Sequence, residues 1–141
     1  MFNIKMGSGL VVLLLVCCTT LVLAGSGTGD TSSYTANSQS VASTGGASIS
    51  ITMDSSADCQ GYVICLSHDD TVVTLDSITT GGTAADAAGA EFAISNTYAT
   101  NGTLGVVMDF AAPFDGQVLA AGSNITVANF NYSCNNAVFY I

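Results

Sequence analysis

Residues 61–70, GYVICLSHDD, hold the only histidine of the 141-residue chain, and two aspartates follow it directly. His68 could act as a general base, with Asp69 to orient it and Ser67 as a nucleophile. It could also join Asp69 and Asp70 in holding a metal ion. A third interpretation makes the stretch the polar end of a β-strand. The three interpretations predict an enzyme, a metal-dependent module and a β-sandwich that only binds.

Strand geometry argues against catalysis at this position. Ser67, His68 and Asp69 are neighbours, and consecutive side chains of a strand point to opposite faces, so the three cannot converge. The sequence has no G-x-S-x-G motif, and its single Lys or Arg leaves almost no cation to stabilise an oxyanion or a phosphoryl group. Ten acidic residues offer pairs of carboxylates for glycoside hydrolysis, but nothing singles out one pair. We therefore predict that the protein is not an enzyme.

A metal site is the stronger chemical alternative, and the residue types select the metal. One histidine and scattered cysteines are too few for zinc, which binds several His or Cys side chains. Calcium binds carboxylates and backbone carbonyls in loops, and Asp69 and Asp70 are the candidate ligands. The EF-hand spacing is absent, and solvated turn acids are the more ordinary explanation. We expect no cofactor, with structural calcium as the alternative; other turns with carboxylates hold Asp54, Asp58, Asp109 and Asp115.

The first 24 residues have the pattern of an export signal. Lys5 gives a short basic start, an apolar stretch runs from Leu10 to Ala24, and Ala24 before Gly25 suits a signal peptidase. The apolar stretch is short for a bilayer span, so cleavage after Ala24 is favoured over a retained membrane anchor. We predict a secreted or cell-surface protein that has no membrane attachment after cleavage.

Cleavage at this position also changes the charge of the protein. It removes Lys5, the only residue among Lys and Arg, and leaves all ten Asp and Glu residues. A surface without cations cannot neutralise phosphates, so the composition excludes nucleic-acid binding and disfavours binding to anionic lipid. We therefore expect neither a nucleic acid nor a membrane as the partner.

Three cysteines remain after the signal is removed, namely Cys59, Cys65 and Cys134. Export implies an oxidising compartment, where one disulfide and one leftover thiol are the simplest arrangement. If residues 60–67 form a strand, Cys59 and Cys65 lie too far apart to bridge without a turn. We therefore expect a disulfide from Cys134 to one of the other two.

Composition divides the exported chain into a linker and a domain. Residues 25–46 are almost entirely Gly, Ser, Thr, Asn, Gln and Ala, which predicts a flexible linker. From residue 47 to 141, apolar and polar residues alternate between turn signals, which predicts an all-β fold, an antiparallel β-sandwich. Residues 83–93 are helix-compatible but contain Gly89, and they predict a long loop with a turn of helix. The predicted strands lie within residues 48–54, 61–67, 71–78, 103–110 and 124–134.

The alternation also assigns faces within the strands. Tyr62, Ile64 and Leu66 share one face, and His68 would cap the end of the core on that face. In the next strand Val73 shares a face with Leu75, whereas Ile78 is expected on the opposite face. The chain ends within a further apolar run, NNAVFYI, so we expect the domain to be incomplete at its C terminus.

The order of these features resembles the cohesin-like domains of secreted bacterial, planctomycete-type proteins. A glycine-led alternating strand that ends in Tyr or His and Asp is matched by Gly61, Tyr62, Ile64, Leu66, His68 and Asp69. The alternating strand and glycine that follow it are matched by Val73, Leu75, Ile78 and Gly81, and residues 105–110 give the later strand GVVMDF. The resemblance covers residues 47–134. Ser67 stands where a cysteine is expected, so no family disulfide is carried over.

The resemblance implies a nine-stranded sandwich of the jelly-roll type that cohesins share with carbohydrate-binding modules. Cohesins are not enzymes and bind dockerin modules through one face of the sandwich. We therefore expect a binding or scaffolding module whose partner is a dockerin-like protein module. The alternatives are a carbohydrate-binding module and a structural surface or matrix protein. Because the chain has no Trp, sugar stacking would use Tyr34, Tyr62, Tyr98, Tyr132 or Tyr140, of which Tyr62 and Tyr132 are assigned to the core.

Overall fold

A computed structural model describes residues 30–39 and 45–135 of the chain. These residues form seven strands and one short helix: β1 (Ser32–Ala36), β2 (Gly46–Ser55), β3 (Gly61–Ser67), β4 (Val73–Thr79), α1 (Ala84–Ala87), β5 (Phe92–Thr97), β6 (Asn101–Val107) and β7 (Gly122–Cys134). The predicted all-β class is confirmed. The predicted signal at residues 1–24 and the apolar run at 136–141 lie outside the described residues. Within the described ranges no helix has the length and apolar character that a membrane crossing requires.

The strands form two antiparallel sheets. One has four strands in the order β1-β2-β7-β4, and the other has three in the order β3-β6-β5. The core lies between the sheets because alternating apolar positions of β2, β3, β4, β6 and β7 turn inward. Fully buried side chains come from both sheets, for example Ile49 of β2, Leu104 of β6 and Phe130 of β7. The structure therefore confirms the predicted antiparallel sandwich.

The sandwich begins earlier than the composition predicts. Strand β1 lies inside residues 25–46, pairs antiparallel with β2, and packs Tyr34 and Ala36 against the core. The prediction of a flexible linker is therefore wrong for Ser32–Ala36, and the domain does not begin at residue 47. Small polar residues are compatible with an edge strand because the backbone ladder with β2 supplies the hydrogen bonds.

A β-bulge reverses one predicted face. In the pairing of β4 with β7, Leu75 lies opposite Tyr132 and Ser77 lies opposite Asn131, so Asp76 is an extra residue. One extra residue shifts the side-chain alternation by one position. Ile78 is therefore buried in the core together with Leu75, and the prediction that it faces the opposite side is wrong.

The connection between β4 and β5 is the predicted long loop with one turn of helix. The helix α1 has four residues, begins after Thr83, and is followed by Gly89 with a positive φ of 77°. A glycine adopts this left-handed conformation without the steric cost of a Cβ atom. Strand β5 follows, and the alternation alone did not predict it because most of its side chains are exposed.

Candidate binding face

The outer face of the four-stranded sheet is polar and hydrogen-bonded within itself. Ser50 Oγ donates to Asn129 Oδ1 at 2.8 Å, and Asn131 Nδ2 donates to Ser77 Oγ at 3.1 Å. Ser133 Oγ contacts the carboxylate of Asp76 in the same way, at 3.0 Å. These side chains are exposed or half-buried and bond to one another, so this face has the character of an ordinary polar surface.

The outer face of the three-stranded sheet is apolar instead at the end where β3 begins. Val63 of β3 and Ile94 of β5 lie on either side of Gly105 of β6, and each is 51% exposed. In the next row Val107 of β6 lies opposite Phe92 of β5. We call these five residues the apolar face. Further along the same outer face lie polar side chains, including Thr103 of β6 and Asn96 of β5.

One exposed phenylalanine, Phe110, extends the apolar surface beyond β6. Phe110 stacks on Phe92 with ring centroids 4.7 Å apart and an interplanar angle of 27°. Phe110 is 56% exposed, and Phe114, further along the same loop, is 72% exposed. Stacking fixes Phe110 at the end of the apolar face, so the apolar surface continues from the sheet onto the loop. Large exposed apolar patches on soluble proteins commonly mark binding sites.

Three carboxylates lie at the same end of the sheet as Phe110. Glu91 precedes β5, and Asp109 and Asp115 belong to the loop after β6; one oxygen of each lies within 4.8 Å of the others. Glu91 Oε2 accepts hydrogen bonds from the backbone N–H groups of Phe110 at 2.7 Å and Ala111 at 2.5 Å. We call Glu91, Asp109 and Asp115 the acidic cluster. It places negative charge beside the apolar surface.

The three neighbours Ser67, His68 and Asp69 do not form a catalytic arrangement. The His68 ring packs edge-on against Tyr132, with centroids 5.3 Å apart and an interplanar angle of 75°. Both of its ring nitrogens are buried without a hydrogen-bond partner among the described residues, so neither Ser67 nor Asp69 orients the ring. Ser67 is exposed at the end of β3. The predicted position of His68 at the end of the core is confirmed.

Asp69 and Asp70 form the turn from β3 into β4. Asp69 Oδ1 accepts from the hydroxyl of Thr71 at 2.6 Å and from its backbone N–H at 2.9 Å, and these bonds lower the pKa of the Asp69 carboxyl. The backbone carbonyl of Asp70 accepts from Asn135 Nδ2 at 2.8 Å. Neither residue belongs to the acidic cluster, and calcium binding at Asp69 and Asp70 stays a prediction.

The expected disulfide is absent among Cys59, Cys65 and Cys134, all of which are free. Cys65 points outward from β3, whereas Cys134 ends β7 in the other sheet. Cys59 lies just before the start of β3. Cys134 lies near the opposite end of β3, because Tyr132, two residues earlier in β7, contacts His68 just past the end of β3. The prediction of a bridge from Cys134 to Cys59 or Cys65 is therefore wrong for geometric reasons.

The tyrosines considered for sugar stacking lie in different environments. Tyr62 and Tyr132 are buried, which confirms their assignment to the core, and Tyr34 packs against the core from β1. Tyr98 is exposed just after β5. Tyr140 lies outside the described residues. The exposed aromatic surface therefore comes mainly from Phe110 and Phe114 rather than from the tyrosines.

No protein-family model, curated protein or solved structure matches this chain. Function must therefore follow from the geometry of the chain itself. The apolar face is not among the predictions from the sequence. Residues 62–66, YVICL, do indicate it, because they are apolar at consecutive positions. A strand that is apolar at consecutive positions presents apolar side chains on both of its sides, and an exposed apolar patch formed in this way can mark a binding site.

Proposed function

We propose that this chain is a secreted, non-catalytic binding module that docks another protein module on the apolar face. The observation that carries the proposal is the contrast between the two outer faces of the sandwich. The four-stranded sheet presents polar side chains that bond to one another, whereas the three-stranded sheet presents Val63 and Ile94 half-exposed to water. Burial of such side chains in an interface is favourable in proportion to the apolar area removed from water.

The charge of the chain selects the partner. The described residues contain no Lys or Arg, and the acidic cluster lies beside Phe110 at the end of the apolar surface. A partner with apolar side chains flanked by Lys or Arg would be complementary in both respects, and complementary charge at the rim speeds and orients association. Proteins supply such a surface, whereas neutral polysaccharides do not supply the charge.

The resemblance to cohesin-like domains supports a dockerin-type module as this partner. Cohesins bind dockerins through one face of a jelly-roll-type sandwich, and this chain has an apolar patch on one outer face of a two-sheet sandwich. We propose that the chain shares that jelly-roll type and acts outside the cell after residues 1–24 are removed.

The test is titration calorimetry of the protein against a panel of dockerin-type modules, with one variant on the apolar face and one control. Ile94→Lys removes an exposed apolar contact from β5 and places a cation opposite a basic partner. We expect it to weaken binding by roughly 30-fold, the effect of losing a hot spot of about 2 kcal/mol. The control is Thr35→Lys, which adds the same charge at an exposed position of β1, an edge strand of the other sheet.

The proposal is supported if wild type and Thr35→Lys bind and Ile94→Lys does not. Circular dichroism should show that both variants fold. Equal weakening in the two variants would place the contact elsewhere. A protein that ignores every dockerin-type module but binds polysaccharides in pull-down is a carbohydrate-binding module. One that only self-associates is a structural protein. Each of these last three outcomes overturns the proposal.

A further inference from the structure

We propose that the outer edge of β3 pairs with β3 of a second copy of this chain, so that the protein forms a symmetric dimer with the two Cys65 residues opposite each other. Strand β3 ends the three-stranded sheet and pairs only with β6 among the described strands. We call its other side the free edge. The unpaired backbone groups of such an edge can pair with a strand of another chain.

Backbone hydrogen bonds at the two ends of β3 show which of its residues face the free edge. The N–H of His68 donates to the carbonyl of Thr100, and the carbonyl of Gln60 accepts from the N–H of Met108. Both of these bonds are directed to β6 and its immediate neighbours. Because the direction of the backbone groups alternates along a strand, all the even-numbered residues of β3 are directed to β6.

The odd-numbered residues of β3 therefore direct their backbone groups to the free edge. In agreement with this direction, the carbonyl of Gly61 accepts from the Cys59 thiol at 2.9 Å. Val63, Cys65 and Ser67 follow along the strand with exposed side chains, and no described residue bonds to their backbone N–H or C=O groups. These three residues present a row of unpaired donors and acceptors.

The free edge lacks the features that protect the edge strands of natural sheets. Those features are charged side chains, proline, short strands and β-bulges. Gly61–Ser67 is a seven-residue strand without charge or proline, and its pairing with β6 has no register shift. By contrast, the edge strand β4 has Asp76 at a bulge, and β1 has only five residues. Strand β3 is therefore open to pairing.

Charge favours a second copy of β3 as the occupant of the free edge. The chain has ten Asp and Glu residues against a single Lys or Arg, so two copies can associate only through a contact that keeps their acids apart. Strand β3 provides such a contact because it is uncharged. In an antiparallel pair centred on Cys65, Asp69 of one copy lies opposite Gly61 of the other, so no like charges meet across the pair.

The hydrogen-bond pattern of the free edge fits the same register. A two-fold axis at Cys65 sets Val63 of one copy opposite Ser67 of the other, and all of these residues direct their backbone groups to the interface. Residues paired in this way exchange two hydrogen bonds, and their Cα atoms lie about 5.5 Å apart. Disulfides most often join Cα atoms about 5.5–6 Å apart, so the two Cys65 thiols can be linked without a backbone movement.

Pairing at the free edge would join the three-stranded sheets of the two copies into one continuous sheet. Val63 of each copy lies on the outer side of this sheet, so the two apolar faces become parts of one surface. If the apolar face docks a protein module, as proposed above, the dimer would bind two such modules on the same side. A partner with two modules would then bind with higher avidity.

The first experiment is sedimentation equilibrium of the purified protein over a range of concentrations in reducing buffer. We expect a reversible monomer–dimer equilibrium. Cys65→Lys sets two cations opposite each other on the axis and should weaken dimerisation by about tenfold or more. The control is Thr97→Lys, which adds the same charge at an exposed position of β5, the other edge strand of this sheet, and should dimerise as wild type does. Circular dichroism should show that both variants fold.

The second experiment uses oxidised glutathione to test the register. One Cys65 thiol displaces a glutathione thiol and forms a mixed disulfide, and the thiol of the second copy then displaces the other glutathione. Two protein thiols thus become one disulfide while one glutathione disulfide becomes two thiols. We expect a covalent dimer linked from Cys65 to Cys65 in peptide mapping. Cys65→Ser should keep the non-covalent dimer and lose the covalent one, whereas Cys134→Ser should cross-link as wild type does.

A wild-type protein that stays monomeric at every concentration would overturn the proposal. So would equal dimerisation of Cys65→Lys and Thr97→Lys, or a covalent dimer linked through Cys59 or Cys134. Slow hydrogen exchange of the Val63 and Cys65 amides in a monomer would also overturn it, because another part of the chain would then cover the free edge. Neither experiment includes a partner, so their failure does not bear on docking at the apolar face.

Discussion

The hydroxyl of Tyr62 donates a 2.8 Å hydrogen bond to the backbone carbonyl of Val127, and this bond joins the two sheets through the core. Val127 lies at a register shift in β7, where Ile51 pairs with Ala128 and Thr52 pairs with Thr126. The extra residue has no partner in the β2 ladder. The phenol of Tyr62 therefore donates a hydrogen bond to a buried carbonyl that has no donor in the β2–β7 ladder.

Replacement of Tyr62 by Phe should destabilise the protein. The variant keeps the ring in the core but leaves the carbonyl of Val127 buried without its donor, which costs about 1–3 kcal/mol. The free energy of unfolding in urea measures this loss. Tyr132→Phe is the matched control because the Tyr132 hydroxyl is buried without a partner in the described structure. Its stability should equal or exceed that of wild type, and equal losses in the two variants would contradict the assignment.

Gly61 should be the less replaceable of two glycines in the three-stranded sheet. A Cβ atom at Gly61 would lie 2.7 Å from the backbone oxygen of Val106, which cannot move without disturbing the ladder between β3 and β6. We expect Gly61→Ala to cost about 1–3 kcal/mol of unfolding free energy, as overpacking does. At Gly105 a Cβ would meet Ile94 at an ordinary 3.6 Å. Thermal melts should show Gly105→Ala at or above wild type, and an unchanged Gly61→Ala would refute the steric account.

Much of the fold could be predicted from the sequence because strand alternation reports directly on burial. The inward residues of β2, β3 and β6 follow from period two alone. The face of Ile78 could not be predicted, because the β-bulge at Asp76 reverses the alternation and no residue type in this stretch indicates a bulge. Strand β1 was missed because its Ser and Thr residues resemble a linker and its order comes from pairing with β2.

The candidate sites were predicted less well than the fold. Asp109 was recognised as a turn acid, but its proximity to Glu91 depends on how β5 returns along β6, a long-range pairing that local sequence does not encode. His68 and Asp69 are candidate functional residues in the sequence because their residue types suggest chemistry. In the structure Asp69 caps a turn and His68 packs on Tyr132, so residue type alone was misleading.

Alkaline pH should destabilise the protein through its buried tyrosines. Burial raises the pKa of Tyr34 and of Tyr132 to about 12 and raises that of Tyr62 as well, whereas an exposed tyrosine titrates near 10. The folded state therefore favours the neutral phenol. The stability that the neutral phenols contribute is fully present below about pH 10 and is lost as the pH rises towards 12. Urea unfolding at stepped pH should show this decline, and Tyr132→Phe should decline less; a constant unfolding free energy would contradict the burial of these phenols.

Replacement of His68 by Phe is the sharpest test of what the only histidine does. The ring of Phe can keep the edge-on contact with Tyr132, and the change removes two buried nitrogens that have no hydrogen-bond partner in the described structure. Burial of an unpaired polar atom is unfavourable, so we expect the unfolding free energy to stay constant or rise by about 1 kcal/mol. His68→Tyr should also fold, because it presents a flat ring with a polar tip.

Titration of both variants against the dockerin-type partner should give wild-type affinity, since His68 lies at the end of the core and not on the apolar face. Intact folding with lost binding would instead make His68 a functional residue.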